Sequence, residues 1–277
     1  MKIWTFWEPR DKMPVYIQMC METWKKFLPD AEVIMVDRSN LKEYVDMGDF
    51  EETLFSSGLS LPLISDAVRA FLLDEHGGIW LDADTIFLNE SVRKYFVDDG
   101  SQTVTFFGSP SKPSVHLAFI KSIPIAAPPH LRGGGSKLIH FWRESIRYKM
   151  ENFSQPAKRK WAYLGNDCID PYLIAFPYEA KTLSNRLVMP EIQHLPVGTD
   201  ITDHKKIYQQ FYFFQHQHLR DFNNDMIMLH NSWTPGIFKV ANFNELMYFD
   251  CTLANILFEV LEIDRSHIKD FLFFEQD

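Results

Sequence analysis

The sequence has little of what would stabilise a secreted or membrane-spanning chain. Its three cysteines, Cys20, Cys168 and Cys251, are odd in number and far apart. They fit no disulfide framework and no CxxC or Cys/His zinc spacing, so a reducing cytoplasm is expected. No stretch approaches the roughly 18 uninterrupted apolar residues of a spanning helix. The start of the chain, Met1 to Arg10, meets charge too soon for a signal peptide. A soluble protein is the expectation. Positive charge is also short: 28 Lys and Arg stand against 37 Asp and Glu, a net −9. General nucleic-acid binding is thereby disfavoured, because the phosphate backbone needs a basic surface. An anionic ligand would need a local device, either a cation cluster or a bound metal. No GxGxxG follows the first apolar run, which disfavours a nicotinamide dehydrogenase. With 12 Gly and 15 Pro in 277 residues, low complexity is excluded as well.

Apolar material is plentiful. Hydrophobic residues make up 46% of the chain, and 24 Phe, 10 Tyr and 7 Trp supply enough bulk for a large core. Lys2 to Trp7 reads as a buried strand stopped by Glu8-Pro9. Met13 to Leu28 has helical spacing, ended by Pro29-Asp30. Glu32 to Asp37 is a second strand, and Ser39 is a candidate cap for a short helix through Val45. A helix is expected from about Leu63 to His76, stopped by Gly77-Gly78, followed by a strand, Ile79 to Leu81. Such βα units imply an α/β fold with a mainly parallel sheet flanked by helices. Beyond residue 100 the pattern loosens. Thr103 to Phe107, His116 to Ile120 and Met226 to Leu229 read as strands, and Gly133 to Gly135 as a hinge. Helices are expected from Ser136 to about Asn152, from Gly165 to Phe176 and from Phe243 to Leu261. No repeat or composition break marks a linker, so one composite domain over 1–277 is expected.

The chemistry concentrates between Ser65 and Asp84, SDAVRAFLLDEHGGIWLDAD. Asp82 and Asp84 are two residues apart at a strand end, so their carboxylates project to one side. Left alone they repel; a divalent cation, which takes carboxylate oxygens, resolves the repulsion. The plainer alternative is two solvated acids in a loop. Strand ends are where ligands bind in open α/β sheets. Asp66 and Arg69, three apart on the preceding helix, share a face; the plainer alternative is an ordinary surface ion pair.

This segment resembles the signature of DxD glycosyltransferases of family 32 and the related capsular polysaccharide synthesis proteins: an Asp-x-x-Arg helix, a Gly-Gly-[IV]-[YW] strand, then the DxD. The opening KIWTFW is similar to the family's Ile-Trp start, and Leu229-His230-Asn231-Ser232-Trp233 to its closing His/Ser-Trp element. The residues from about 90 to 225 match poorly. The resemblance implies a GT-A type fold, with 1–107 as the nucleotide-sugar-binding part and 108–277 as a helical acceptor-side part with closing elements. It implies a metal-dependent hexosyltransferase that retains anomeric configuration, with a UDP-sugar donor and Mn²⁺ or Mg²⁺. Asp84 would hold the cation directly, Asp82 the ribose or a metal-bound water, and His230 would be a further metal ligand. Asp66 and Arg69 would contact the donor sugar, Ala83 would lie within the donor site, and Ser232 and Trp233 would close over the diphosphate. Trp4, with Thr5 beside it, would sit against the nucleobase. Core packing is the plainer role for Trp4, as a satisfied strand-end histidine is for His230.

Two further segments stand out. Asn166 and Asp167 precede a helix as candidate caps, while in related retaining enzymes an acid or amide from this region lies near the sugar. Residues 136–161 carry seven basic residues, among them Arg143, Lys158 and Arg159, against Glu144 and Glu151. That amphipathic pattern reads as a core-packed helix with a solvated polar face, or as peripheral contact with the inner face of a membrane bearing a lipid-linked acceptor. The aromatic run Tyr208 to Phe214 reads as mostly core. The acceptor would be a saccharide or lipid-linked glycan of a bacterial surface polysaccharide. A protein-modifying transferase and a non-catalytic carbohydrate-binding protein are the alternatives.

Overall fold

The computed structural model describes residues 2–97, 103–109, 112–113, 119–122, 136–152, 160–193, 195–196 and 201–265. The expected glycine hinge at Gly133 to Gly135, His116, and Lys158 and Arg159 of the basic segment lie outside them. In chain order the strands are β1 (Lys2–Phe6), β2 (Glu32–Val36), β3 (Gly78–Leu81), β4 (Thr85–Phe87), β5 (Val104–Ser109), β6 (Lys112–Pro113), β7 (Phe119–Ser122), β8 (Ala180–Ser184) and β9 (Met226–Met228). The helices are α1 (Val15–Phe27), α2 (Asp49–Ser56), α3 (Leu61–His76), α4 (Lys137–Glu151), α5 (Asn166–Ala175), α6 (Ile201–Phe213), α7 (Gly236–Val240), α8 (Phe243–Met247) and α9 (Thr252–Val260). The chain divides into two compact units. The first comprises Met1–Asp11, Ala31–Asp82 and Phe96–Asn185; the second comprises Lys12–Asp30, Ala83–Tyr95 and Arg186–Asp277.

The first unit is built on a sheet of order β2-β1-β3-β7-β5-β6, with β8 added in parallel to β5. β1 runs parallel to both β2 and β3, with Trp4 in register with Ile34 and Trp80. The direction reverses at β7, which is antiparallel to β3 and to β5. The sheet is thus parallel where strand and helix patterns alternate in sequence and mixed beyond. Strand alternation puts Trp4 and Phe6 on one face. That face joins Val36, Trp80 and Phe106 to Phe71 of α3, Trp142 of α4 and Ile169 of α5 in one core.

Glycine makes the α3–β3 junction possible. Gly77 ends α3 at φ +61°, and its carbonyl accepts the Trp4 indole N–H at 2.9 Å. Gly78 follows at φ +94°; a Cβ there would lie 2.9 Å from the Lys2 carbonyl oxygen. Both conformations favour a residue without a side chain.

α4 begins as expected: Ser136 Oγ accepts the Ile139 N–H at 3.2 Å. Its apolar face, including Leu138, Trp142 and Ile146, lies in the core. Arg143 and His140 reach buried Asp74 of α3 at 2.9 and 3.1 Å. The amphipathic face is therefore used in packing.

Three local expectations are corrected. Ser39 does not cap a helix; its hydroxyl donates to Asp37 Oδ1, and one 3-10 turn, Leu41–Glu43, follows Asn40. Neither Asn166 nor Asp167 caps α5, because the backbone becomes helical one residue sooner and Gly165 occupies the cap. The final helical region is interrupted between Met247 and Thr252, giving α8 and α9.

In the second unit, β4 and β9 form an antiparallel pair, Thr85 opposite Met228 and Phe87 opposite Met226. α1 is pinned to β4: the Trp24 indole donates to the Thr85 carbonyl at 2.6 Å, and Thr23 Oγ1 accepts the Phe87 N–H at 2.9 Å. Tyr208 and Tyr212 of α6 are fully buried, while Phe214 beyond its end is exposed. All three cysteines are free and buried, Cys168 in the first unit and Cys20 and Cys251 in the second. No helix among the described residues is long and apolar enough to cross a membrane.

Candidate functional site

The first unit assembles a polar cluster at the carboxyl end of β3. Asp82, directly after that strand, accepts two N–H donors on Oδ1: the Arg69 guanidinium at 3.1 Å and the Trp80 indole at 2.8 Å. The guanidinium lies 4.9 Å from the centre of the Trp80 ring, a cation–π arrangement. It also donates to Ser65 Oγ at 3.2 Å and sits 3.6 Å from Asp66. The Asp66–Arg69 pair, one helical turn apart, is no surface ion pair: the side chains are 2% and 4% exposed, against 31% for Asp82. Burial pushes the Asp66 carboxyl up to about 7, with Arg69 opposing and the Asp82 charge adding. Arg69 thus has one carboxylate beneath it and a second, partly exposed, that it aims.

Trp4 is a correction. The ring is fully buried, stacked on His76 at a 5.2 Å centroid distance with Tyr44 edge-on at 5.5 Å, and its N–H is taken by Gly77. No face of it is open to a nucleobase. Thr5 is equally buried, and its hydroxyl has no hydrogen-bond partner.

A feature the sequence reading missed lies at the ends of β1 and β2. A cleft of 710 Å³ is lined by Glu8, Pro9, Arg10, Asp11, Asp37, Arg38 and Ser39. Asp37 is fixed there by the Ser39 hydroxyl and amide and the Asn40 amide, with Arg10 at 3.7 Å. Burial alone would raise its pKa; those donors and Arg10 outweigh burial and hold it below the usual carboxylate range. The available signal was positional, since ligands gather at the carboxyl ends of parallel strands.

Asn166 and Asp167 open α5. Asn166 is buried and donates to Asp170 Oδ1 at 3.2 Å, while Asp167 is exposed. The neighbouring Cys168 thiol is pushed up to about 11 by burial, with Lys149 opposing and the charges of Asp66 and Asp167 adding. That coupling puts the start of α5 within electrostatic reach of Asp66.

The second unit holds Asp84 and the closing segment. Asp84 is 8% exposed, and its Oδ2 accepts the Asn231 N–H at 2.8 Å. Asn231 Oδ1 in turn accepts from the Tyr16 hydroxyl at 2.5 Å. The Leu229 N–H donates to the Asp84 carbonyl at 3.2 Å, extending the β4–β9 pairing. Ala83 is buried and Ser232 exposed. Trp233 packs its ring 4.1 Å from that of His230. His230 itself groups with two residues the sequence reading did not single out, Glu191 and His204. Burial, and secondarily the His204 charge, lower its pKa to about 3, so the imidazole is neutral.

The chain is similar to several known proteins. The family described as capsular polysaccharide synthesis protein matches residues 1–122. The O-glycosyltransferase braB of Annulohypoxylon truncatum is 34% identical over 92 residues, 29% of this chain and 22% of that protein. The apo-form glycosyltransferase GlyE of Streptococcus pneumoniae TIGR4, a crystal structure, aligns with 99% of this chain and 63% of its own at 10% identity and a TM-score of 0.46. The alignments thus take in less than two thirds of either relative. The family match spans β1, the Asp66–Arg69 helix and the Asp82-Ala83-Asp84 motif, and stops before Asn166, Asp167 and the His230–Trp233 segment.

Proposed function

We propose that this protein is a glycosyltransferase of surface polysaccharide synthesis, moving a hexose from a UDP-sugar to a saccharide or lipid-linked acceptor with retention of configuration. The observation that carries the reading is the clamp on Asp82, held by Arg69 and Trp80 at the end of β3. A carboxylate aimed this way is prepared for a ligand rather than left as a loop acid. The family match over residues 1–122 and the glycosyltransferase relative support the same reading.

The donor set fits a hard cation. Asp82 and Asp84 offer carboxylate oxygens, the ligands Mg²⁺ and Mn²⁺ prefer. On Asp82 both N–H donors engage Oδ1, so Oδ2 is the oxygen for a metal. When bound, the cation would stabilise negative charge on the leaving diphosphate as a Lewis acid. The residues of the chain supply the rest. Arg69 fixes the orientation of Asp82, and Trp80 holds the same oxygen from the strand. The cleft at the ends of β1 and β2 has room for the nucleoside portion of the donor, with Arg10 and Arg38 to face the adjoining phosphates. That cleft takes over the base-binding role expected of Trp4. Asp167, exposed at the start of α5, is a candidate to orient the sugar. Transfer on one face, the leaving phosphate taking the acceptor's proton, needs no covalent nucleophile.

The test is nucleotide release from a panel of UDP- and GDP-sugars, with saccharide and lipid-linked acceptors, before and after dialysis against chelator. Turnover with one UDP-sugar, abolished by chelation and restored by Mn²⁺, is expected. Full activity in excess chelator would overturn the metal, and no turnover with any donor would overturn the enzyme.

A further inference from the structure

We infer that Glu191, His204 and His230 form a binding site for a divalent transition metal of the zinc class, separate from the cation proposed at Asp82 and Asp84. The site lies wholly in the second unit and stands independently of the proposed activity. One ligand atom from each of the three side chains lies within 4.8 Å of the others. Glu191 comes from a single turn, Pro190–Ile192, and its side chain is fully buried. Its Oε1 is 3.3 Å from His204 Nε2 of α6, and its Oε2 accepts the Tyr212 hydroxyl at 3.1 Å. His230 follows β9, and its backbone N–H is held by the Tyr208 hydroxyl at 3.1 Å.

The second observation is an orphan. His230 Nε2 is buried and has no hydrogen-bond partner. A buried ring nitrogen with nothing to bond is unfavourable, and Tyr208, with a hydroxyl already close by, serves the backbone instead. A metal ion satisfies that nitrogen and at the same time neutralises the buried Glu191. Imidazole ligates a metal through a ring nitrogen that carries no proton.

The ligand chemistry selects the ion. Two imidazoles and a carboxylate suit Zn²⁺ and its neighbours, whereas all-oxygen sites suit Mg²⁺ and Mn²⁺. Three protein ligands leave a fourth position for water or a bound molecule. Tyr212 orients Glu191 as an outer partner typically does. The Trp233 ring, 5.1 Å from His204 and 4.1 Å from His230, walls the site from one side. Metal at this point would fasten the Pro190–Ile192 turn, α6 and the segment after β9 to one another. It also moves His230 out of the ligand set expected around Asp82 and Asp84.

The experiment uses the full chain stripped of metal. Zn²⁺ affinity is measured by competition with a chromophoric chelator, Co²⁺ binding by visible absorption, and folding by circular dichroism. One equivalent of Zn²⁺ is expected in the wild type and equally in Asp82→Asn. His204→Ala and Glu191→Gln should weaken it by at least about tenfold, and Zn²⁺ should raise the melting temperature of the wild type but not of His204→Ala. The Co²⁺ adduct of the wild type should show the intense visible bands of a low-coordinate nitrogen site, which keeps the test decisive should a variant fail to fold. No Zn²⁺ binding by the wild type at micromolar concentration, undiminished binding by both variants, loss of the site in Asp82→Asn, or a weak all-oxygen Co²⁺ spectrum would each overturn the assignment.

Discussion

Two polar clusters, one in each unit, differ in what their members have around them. In the first, the Arg69 guanidinium is shared between the carboxylates of Asp66 and Asp82, and Trp80 adds a donor to Asp82. In the second, Glu191 has two donors around it, yet His230 Nε2 has none. The first cluster has its cation built in and turns the partly exposed Asp82 outward. The second is complete only with something added. A charge-paired cluster holds a ligand-facing group in place; a cluster with an orphaned buried nitrogen is itself a place for a ligand.

That contrast can be broken experimentally. The largest expected effect is Arg69→Ala, which leaves Asp66 buried beside Asp82 without its cation. Removing one partner from a buried charged network costs about 3–5 kcal/mol, readable as a shift in the urea midpoint. A loss below about 1 kcal/mol would mean that the buried carboxyl does not depend on its cation. Asp82→Asn keeps shape and burial but removes a charge, and should lower nucleotide-sugar turnover by about 10²–10³-fold with little change in melting temperature. Equal losses of stability and activity would make Asp82 structural. Gly78→Ala, at φ +94° with a carbonyl 2.9 Å from the new Cβ, should cost about 1–3 kcal/mol and lower activity through misplacement of β3; equilibrium unfolding and turnover report the two separately. In metal-free protein His204→Ala should cost only about 1 kcal/mol, since Glu191 retains Tyr212. A larger loss without metal would show that the second cluster closes without a ligand.

A further effect concerns pH. Folded Asp66 titrates near 7 and an ordinary aspartate near 3.8. Between those values the folded state binds more protons than the unfolded one, so stability falls as pH rises from about 4 to 7. Asp66→Asn should flatten that slope. Melting curves at pH 4.5, 6 and 7.5 test it, and an unchanged slope would place the titration elsewhere.

Much of this was legible in the chain. β1, α1, β2, α3 and β3 follow from apolar spacing and from the stops at Pro9, Pro29 and Gly77. Helix periodicity placed Asp66 and Arg69 on one face and the strand end placed Asp82, but that Arg69 reaches Asp82 is visible only in the fold. Three features were not legible. Strand alternation told which face Trp4 occupies, not that His76 and Tyr44 cover it. α2 was missed because DFEETLFS is short and acidic at its start. Glu191 and His204 lie far from His230 in sequence with no motif spacing, and only the packing of α6 beside β9 brings them together.

The buried thiols carry a consequence of their own. Burial raises Cys20, Cys168 and Cys251 above the ordinary thiol range, and only the thiolate reacts with alkylating reagents. Native protein should therefore resist modification, each thiol becoming reactive when its surroundings open. Cys168 reports on one compact unit and Cys20 and Cys251 on the other, so the chain carries two built-in clocks. Timed alkylation with mass readout would show, without any label, whether a ligand slows the opening of one unit while leaving the other unchanged.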